Sequence, residues 1–92
     1  MARLTEKQVV AQLKSVKGWK RAGEEIRRTF VHKDFALAMG FVQSVALLAE
    51  KMNHHPDIDI RWNKVTLALS THSAGGLTGK DFALAKQINA LP

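Results

Sequence analysis

Asp34–Pro56, DFALAMGFVQSVALLAEKMNHHP, decides how this chain folds. Phe35, Ala38, Phe41, Val42, Val45, Leu48, Ala49 and Met52 recur at helical spacing and form a wide apolar stripe. Asp34 is a good N-cap, so the pattern predicts a helix over 34–52, about 28 Å long at ~1.5 Å per residue. Asn53 suits the left-handed position that ends a helix. Pro56 forbids continuation and disfavours α geometry at His55. His54 and His55, two of the four histidines, are therefore expected just beyond the C-terminal end of the main helix.

Upstream, Thr5 and Gln8 read as a capping box, and Val9, Val10, Leu13 and Val16 give a first helix at about 5–16, stopped by Gly18. Trp19–Ala22 reads as a short edge strand and Gly23-Glu24 as a turn. The β-rich run Ile26–His32 reads as the returning strand, although Arg27 and Arg28 interrupt its alternation. Downstream, Ile58, Ile60 and Trp62 alternate with Asp59 and Arg61, and Asn63-Lys64 reads as the turn into a strand over Val65–His72. Thr78 with Asp81 repeats the capping-box pattern. Leu84, Ala85, Ile88 and Leu91 then predict a last helix over about 79–90. The order α-β-β-α-β-β-α predicts an α+β fold: a four-stranded antiparallel sheet with three helices packed on one face, in a single domain over 1–92.

The totals narrow the function classes. At 92 residues there is room for one modest core, so association into a homo-oligomer, a dimer or a tetramer, is expected. There is no cysteine, which removes disulfides, thiolate metal sites and a cysteine nucleophile. No unbroken apolar run approaches the ~20 residues of a membrane span. No secretory h-region follows Met1, so no membrane role and a cytoplasmic location are expected. The net charge of +6 raises the question of nucleic acid, but the 14 Lys and Arg are dispersed and no nucleic-acid motif accompanies them. A solvated basic surface is the better reading.

Acid–base chemistry is the reading that His54, His55 and His72 invite. The negative end of the main helix dipole favours an imidazolium nearby, and Glu50, four residues before His54, could orient it. An ordinary imidazole, with a pKa of about 6.5, can give or take a proton near neutrality. His72 is expected where a strand gives way to a glycine-containing loop, and the intervening hairpin can return it to the end of the sheet that holds His54. Zinc held by histidines with Glu50, Asp57 and Asp81 is the competing use of the same residues. The missing H-E-x-x-H spacing argues against it. Asp81 has a purely structural use as a capping carboxylate, Trp62 reads as core or pocket wall, and His32 reads as structural.

Glu50-x3-His54-His55-Pro56, Trp62, Ser70-Thr71-His72 and Asp81 together resemble the signature of the pterin-4a-carbinolamine dehydratases. The similarity extends through Gly18-Trp19, Phe30–Phe35, Gly40-Phe41, Val45–Lys51 and Asn63-Lys64-Val65. The resemblance implies dehydration of 4a-hydroxytetrahydrobiopterin to quinonoid dihydropterin and water, in tetrahydropterin recycling, with no cofactor and no metal. It implies His54, His55 and His72 as catalytic residues, with His54 and His72 sharing the acid and base roles and His55 orienting the pterin. Glu50, Trp62, Ser70, Thr71 and Asp81 are the implied supporting or substrate-binding positions. The alternative of a different class is a non-catalytic oligomeric module that binds a regulatory protein or nucleic acid.

Overall fold

In the computed structural model, which describes residues 2–92, the order is α1 (Glu6–Leu13), β1 (Lys20–Ala22), β2 (Glu25–Val31), α2 (Phe35–Met52), β3 (Asp57–Arg61), β4 (Lys64–Leu69), a 3₁₀ turn (His72–Ala74) and α3 (Gly79–Asn89). The sheet is antiparallel throughout, in the order β1-β2-β4-β3. This is the α+β architecture that the alternating pattern predicted.

Register explains which side chains go inward. Ile26 pairs with Leu69 and Phe30 with Val65, while Ile58 and Ile60 of β3 face Leu67 and Val65 of β4. Paired residues share a face, so these side chains form the helix-covered side of the sheet. Ile26, Val65, Leu67 and Leu69 are fully buried there against Val9, Val45, Phe82, Leu84 and Ile88 from the helices. The opposite face, with Arg27, Thr29, Asp57, Thr66 and Ala68, carries no helix.

Arg27 and Arg28 keep the alternation after all. Arg28 lies on the helix side, at the margin of the core. Its guanidinium donates to the Lys17 carbonyl (2.8 Å) and to Asn89 Oδ1 (2.7 Å), and it stacks 4.3 Å above the Phe30 ring. Gly18 leaves room for it: a Cβ there would lie 2.7 Å from Arg28 Nε, and its φ of 88° also favours glycine.

Several boundaries move. Helix α1 stops at Leu13, short of the expected 16, and Val16 is buried by the turns that follow. Both capping boxes form, Thr5 with Gln8 and Thr78 with Asp81. The Arg21 guanidinium hydrogen-bonds Glu6 and holds that carboxyl below the usual carboxylate range, which ties the first turn of α1 to β1. The hairpin turn falls at Trp62-Asn63, one residue earlier than expected, because Arg61 pairs with Lys64. Asn63 is pinned to the end of β2, accepting from the His32 amide and donating through its own side chain to the His32 carbonyl, each at 2.8 Å. Trp62 there lies in the left-handed region at φ 53° and is 67% exposed, so it is not core. Strand β4 ends at Leu69 instead of running to His72. Thr71 forms only an isolated bridge with Gly76.

Helix α2 holds Ala38, Val45 and Ala49 against the core, while Phe35, Leu37, Met39 and Leu47 stay exposed. By length and composition it is apolar enough to cross a membrane, a property that a search for unbroken apolar runs overlooks.

Candidate active site

Three chain segments meet at one end of the sheet: the α2–β3 link, the turn after β4, and the β1–β2 hairpin. Asn53 ends α2 in the left-handed conformation at φ 50°, and its amide donates to the Ala49 and Glu50 carbonyls. The chain turns sharply there. His54 is thrown inward, 9% exposed, and His55 back over the last turn of α2.

His54 is fixed by Asp81. Its Nε2 lies 2.6 Å from Asp81 Oδ1, and both side chains are buried. Asp81 Oδ2 accepts from Thr71 Oγ1 and from the Thr78 amide, each at 2.9 Å. Thr71 Oγ1 lies 2.9 Å from Thr78 Oγ1 as well. The capping box of α3 thus has a second use. One carboxylate oxygen holds the helix start, and the other holds a histidine 27 residues earlier in the chain. An ionised carboxylate can only accept, so it places the proton of a neutral His54 on Nε2 and leaves Nδ1 as the basic atom.

Glu50 pairs with His55, not with His54 as helical spacing suggested. The left-handed Asn53 breaks the helical register, so the residue five positions on is the one that returns to Glu50. Both members of this pair are largely exposed.

His72 opens the 3₁₀ turn and is exposed. With His55 it lines a cavity of about 340 Å³, whose walls include Asp57, Ala68 and Ser70. An adjoining cleft is lined by His54, His55, His72, Thr71 and Lys80. All three candidate histidines therefore converge. Ser70 Oγ donates to the Glu24 carbonyl at 2.8 Å and fastens the β1–β2 turn to the site. Trp62 is not brought there: it sits at the opposite end of the five-residue β3, about 16 Å away at ~3.3 Å per residue.

Among the described residues, no three His, Asp or Glu side chains are grouped so as to hold a metal ion. Asp81 is committed to its three donors, and Glu50 to His55. Glu24 and Glu25, which sequence reasoning passed over, also line the cavity of His55 and His72, as does Gly76, where the Gly75-Gly76 pair suggests close backbone approach. Only the non-sequential pairing of β2 with β4 brings Glu24 and Glu25 beside Ser70, and nothing in the local sequence announces that pairing.

The family profile described as Pterin 4 alpha carbinolamine dehydratase matches residues 2–91. The chain belongs to this family. It is 57% identical over 90 residues to a Roseiflexus castenholzii protein named "Putative pterin-4-alpha-carbinolamine dehydratase", covering 98% of this chain and 97% of that one. A protein of Roseiflexus sp. with the same name is 55% identical over 89 residues, covering 97% and 96%. Among solved structures, a transcriptional coactivator/pterin dehydratase from Brucella melitensis superposes with a TM-score of 0.92 at 41% identity, covering 96% of each chain. The likeness covers the whole domain.

Proposed function

We propose that this protein dehydrates 4a-hydroxytetrahydrobiopterin to quinonoid dihydropterin and water, as a cytoplasmic homo-oligomer serving tetrahydropterin recycling. The observation that carries this reading is the convergence of His54, His55 and His72 on adjoining cavities, with His54 held by the buried Asp81. The reaction needs one proton delivered to the departing 4a-hydroxyl and one removed from N5. His72, exposed to solvent, supplies the first. His54, with its Nε2 proton held by Asp81, takes the second at Nδ1. The C4a–O bond breaks, the N5–H electrons form the C4a=N5 double bond, and water leaves. A proton then returns from His54 to His72 through solvent, so no acid or base is consumed. His55, steadied by Glu50, orients the ring.

The demand on these groups is modest. Positioned acid–base catalysis contributes roughly 10²–10⁴-fold, and carbinolamines already lose water unaided. The decisive experiment mixes purified protein with freshly generated 4a-hydroxytetrahydropterin and follows the quinonoid product optically. Acceleration above buffer is expected, and a rate equal to buffer refutes the reading.

A further inference from the structure

Glu24 occupies a position in the cavity lined by His55 and His72 that acid–base chemistry does not use. It lies in the β1–β2 turn, and its carboxylate rests against bare backbone: a Cβ on Gly76 would come within 2.5 Å of Glu24 Oε2. Gly76 is buried and its φ lies outside the left-handed region, so what glycine provides here is space, first for that carboxylate and then for the Arg3 side chain, whose Cδ would lie 3.3 Å from a Cβ. The Glu24 main chain is pinned by Ser70 Oγ, two residues from His72. Arg21 lies near enough to feel the Glu24 charge, and Arg3 Nη1 stands 3.4 Å from the carboxylate, with the Arg3 and Glu24 side chains about 60% exposed (61% and 60%). The same guanidinium nitrogen donates to the Gly75 carbonyl at 3.3 Å. In a chain of net charge +6, no Lys or Arg lines this cavity. The carboxylate thus lines the same cavity as His55 and His72, with Arg3 on Oε2 as its hydrogen-bonded side-chain partner among the described residues.

A pterin ring offers the matching group. Its pyrimidine edge presents the N3–H and the 2-amino group side by side, two parallel donors spaced for the two oxygens of one carboxylate. Neither takes part in the loss of the 4a-hydroxyl. We propose that Glu24 is a substrate-binding and specificity-determining residue that grips this donor edge, and that Gly76 is bare so that the carboxylate can reach it. The proposal rests on the pterin reading given above. It assigns Glu24 to holding the end of the ring remote from the chemistry, which turns the reacting carbon toward His54 and His72.

The test separates the two readings. For the wild type, turnover of 4a-hydroxytetrahydropterin is measured along with binding of 7,8-dihydropterin and of 7,8-dihydrolumazine, which carries a carbonyl in place of the 2-amino group. The expected results are turnover and about 10- to 100-fold tighter binding of dihydropterin. Glu24→Gln should raise KM by about 10- to 100-fold with kcat within about threefold, the signature of lost uniform binding. It should also erase or reverse the preference, because an amide can accept from N3–H and donate to the lumazine carbonyl. Gly76→Ala should mimic the KM effect by displacing the carboxylate. Arg3→Ala, which removes the ion pair and the hydrogen bond to the Gly75 carbonyl but keeps the carboxylate, should leave the dihydropterin preference intact. If the wild type turns over substrate and Glu24→Gln keeps both KM and the preference, the role of Glu24 is refuted while the pterin reading stands. If Arg3→Ala abolishes the preference as fully as Glu24→Gln, the carboxylate acts only by shaping the loop and the proposal is refuted. If the wild type neither turns over the substrate nor binds dihydropterin, the pterin reading fails and this assignment falls with it.

Discussion

Asp81 is fully buried, and its two oxygens divide between the start of α3 and His54. Replacing it with Asn keeps the volume but removes the charge and gives Oδ1 or Oδ2 a donor where only acceptors are wanted. Asp81→Asn should therefore cost about 3 kcal/mol of stability and, by freeing the tautomer of His54, also lower kcat. A urea titration and a turnover assay on the same preparation check both. His72 offers the contrast. It is exposed, so His72→Ala should move stability by no more than about 0.5 kcal/mol while cutting turnover by roughly 10²–10⁴-fold. Full activity in that variant would remove His72 from the mechanism. The sequence exposes Asp81 as a capping residue, because the capping signal is local. Its bond to His54 was hidden because it joins residues on two different elements. Glu50 was paired with the wrong histidine for a related reason: helical spacing holds only as far as Met52, and Asn53 resets it.

At the scale of elements, the apolar stripes and capping boxes were legible, since each depends on neighbours within one or two turns. What moved were points set by distant contacts. Asn63, locked to His32, decides where the β3–β4 turn falls, with Trp62 exposed in it. The Thr71–Gly76 bridge takes His72 off the strand. Gly18 is a further case: it reads as a helix stop, yet its larger use is to admit Arg28. Gly18→Ala meets both a left-handed φ of 88° and a contact of 2.7 Å. Arg28 would have to leave Asn89 and the Lys17 carbonyl, which loosens the seam between β2 and the end of α3. A loss of about 2–3 kcal/mol is expected, read as a lower denaturant midpoint with unchanged m-value. Gly23→Ala is the control for the φ effect alone, because nothing lies within 4 Å of its Cβ position. An equal loss at both glycines would show that packing against Arg28 contributes nothing.

Across the whole molecule, the sheet order β1-β2-β4-β3 could not be read from the chain, because no local feature says which strand of the second hairpin meets the first. That order is what brings Glu24 to the histidines, and it leaves β3 as an edge. Ile58 and Ile60 on β3 are 39% and 37% exposed, and Leu47 on α2 is 65% exposed. A domain of this size cannot cover α2 from both sides with its own helices, so much of that helix's apolar surface meets solvent in one copy. The expected remedy is a second copy of the same chain, consistent with the homo-oligomer proposed here. Light scattering should then give a dimer or tetramer mass at micromolar concentration, with a Tm that rises with protein concentration. Leu47→Glu places a charge on the exposed face of α2 without touching the core, so it should shift the mass toward the monomer and flatten that concentration dependence. A wild type that stays monomeric, with a Tm independent of concentration, would show that this apolar surface is tolerated in water by the single chain. A Leu47→Glu variant that keeps the full oligomer would instead move the contact away from this part of α2.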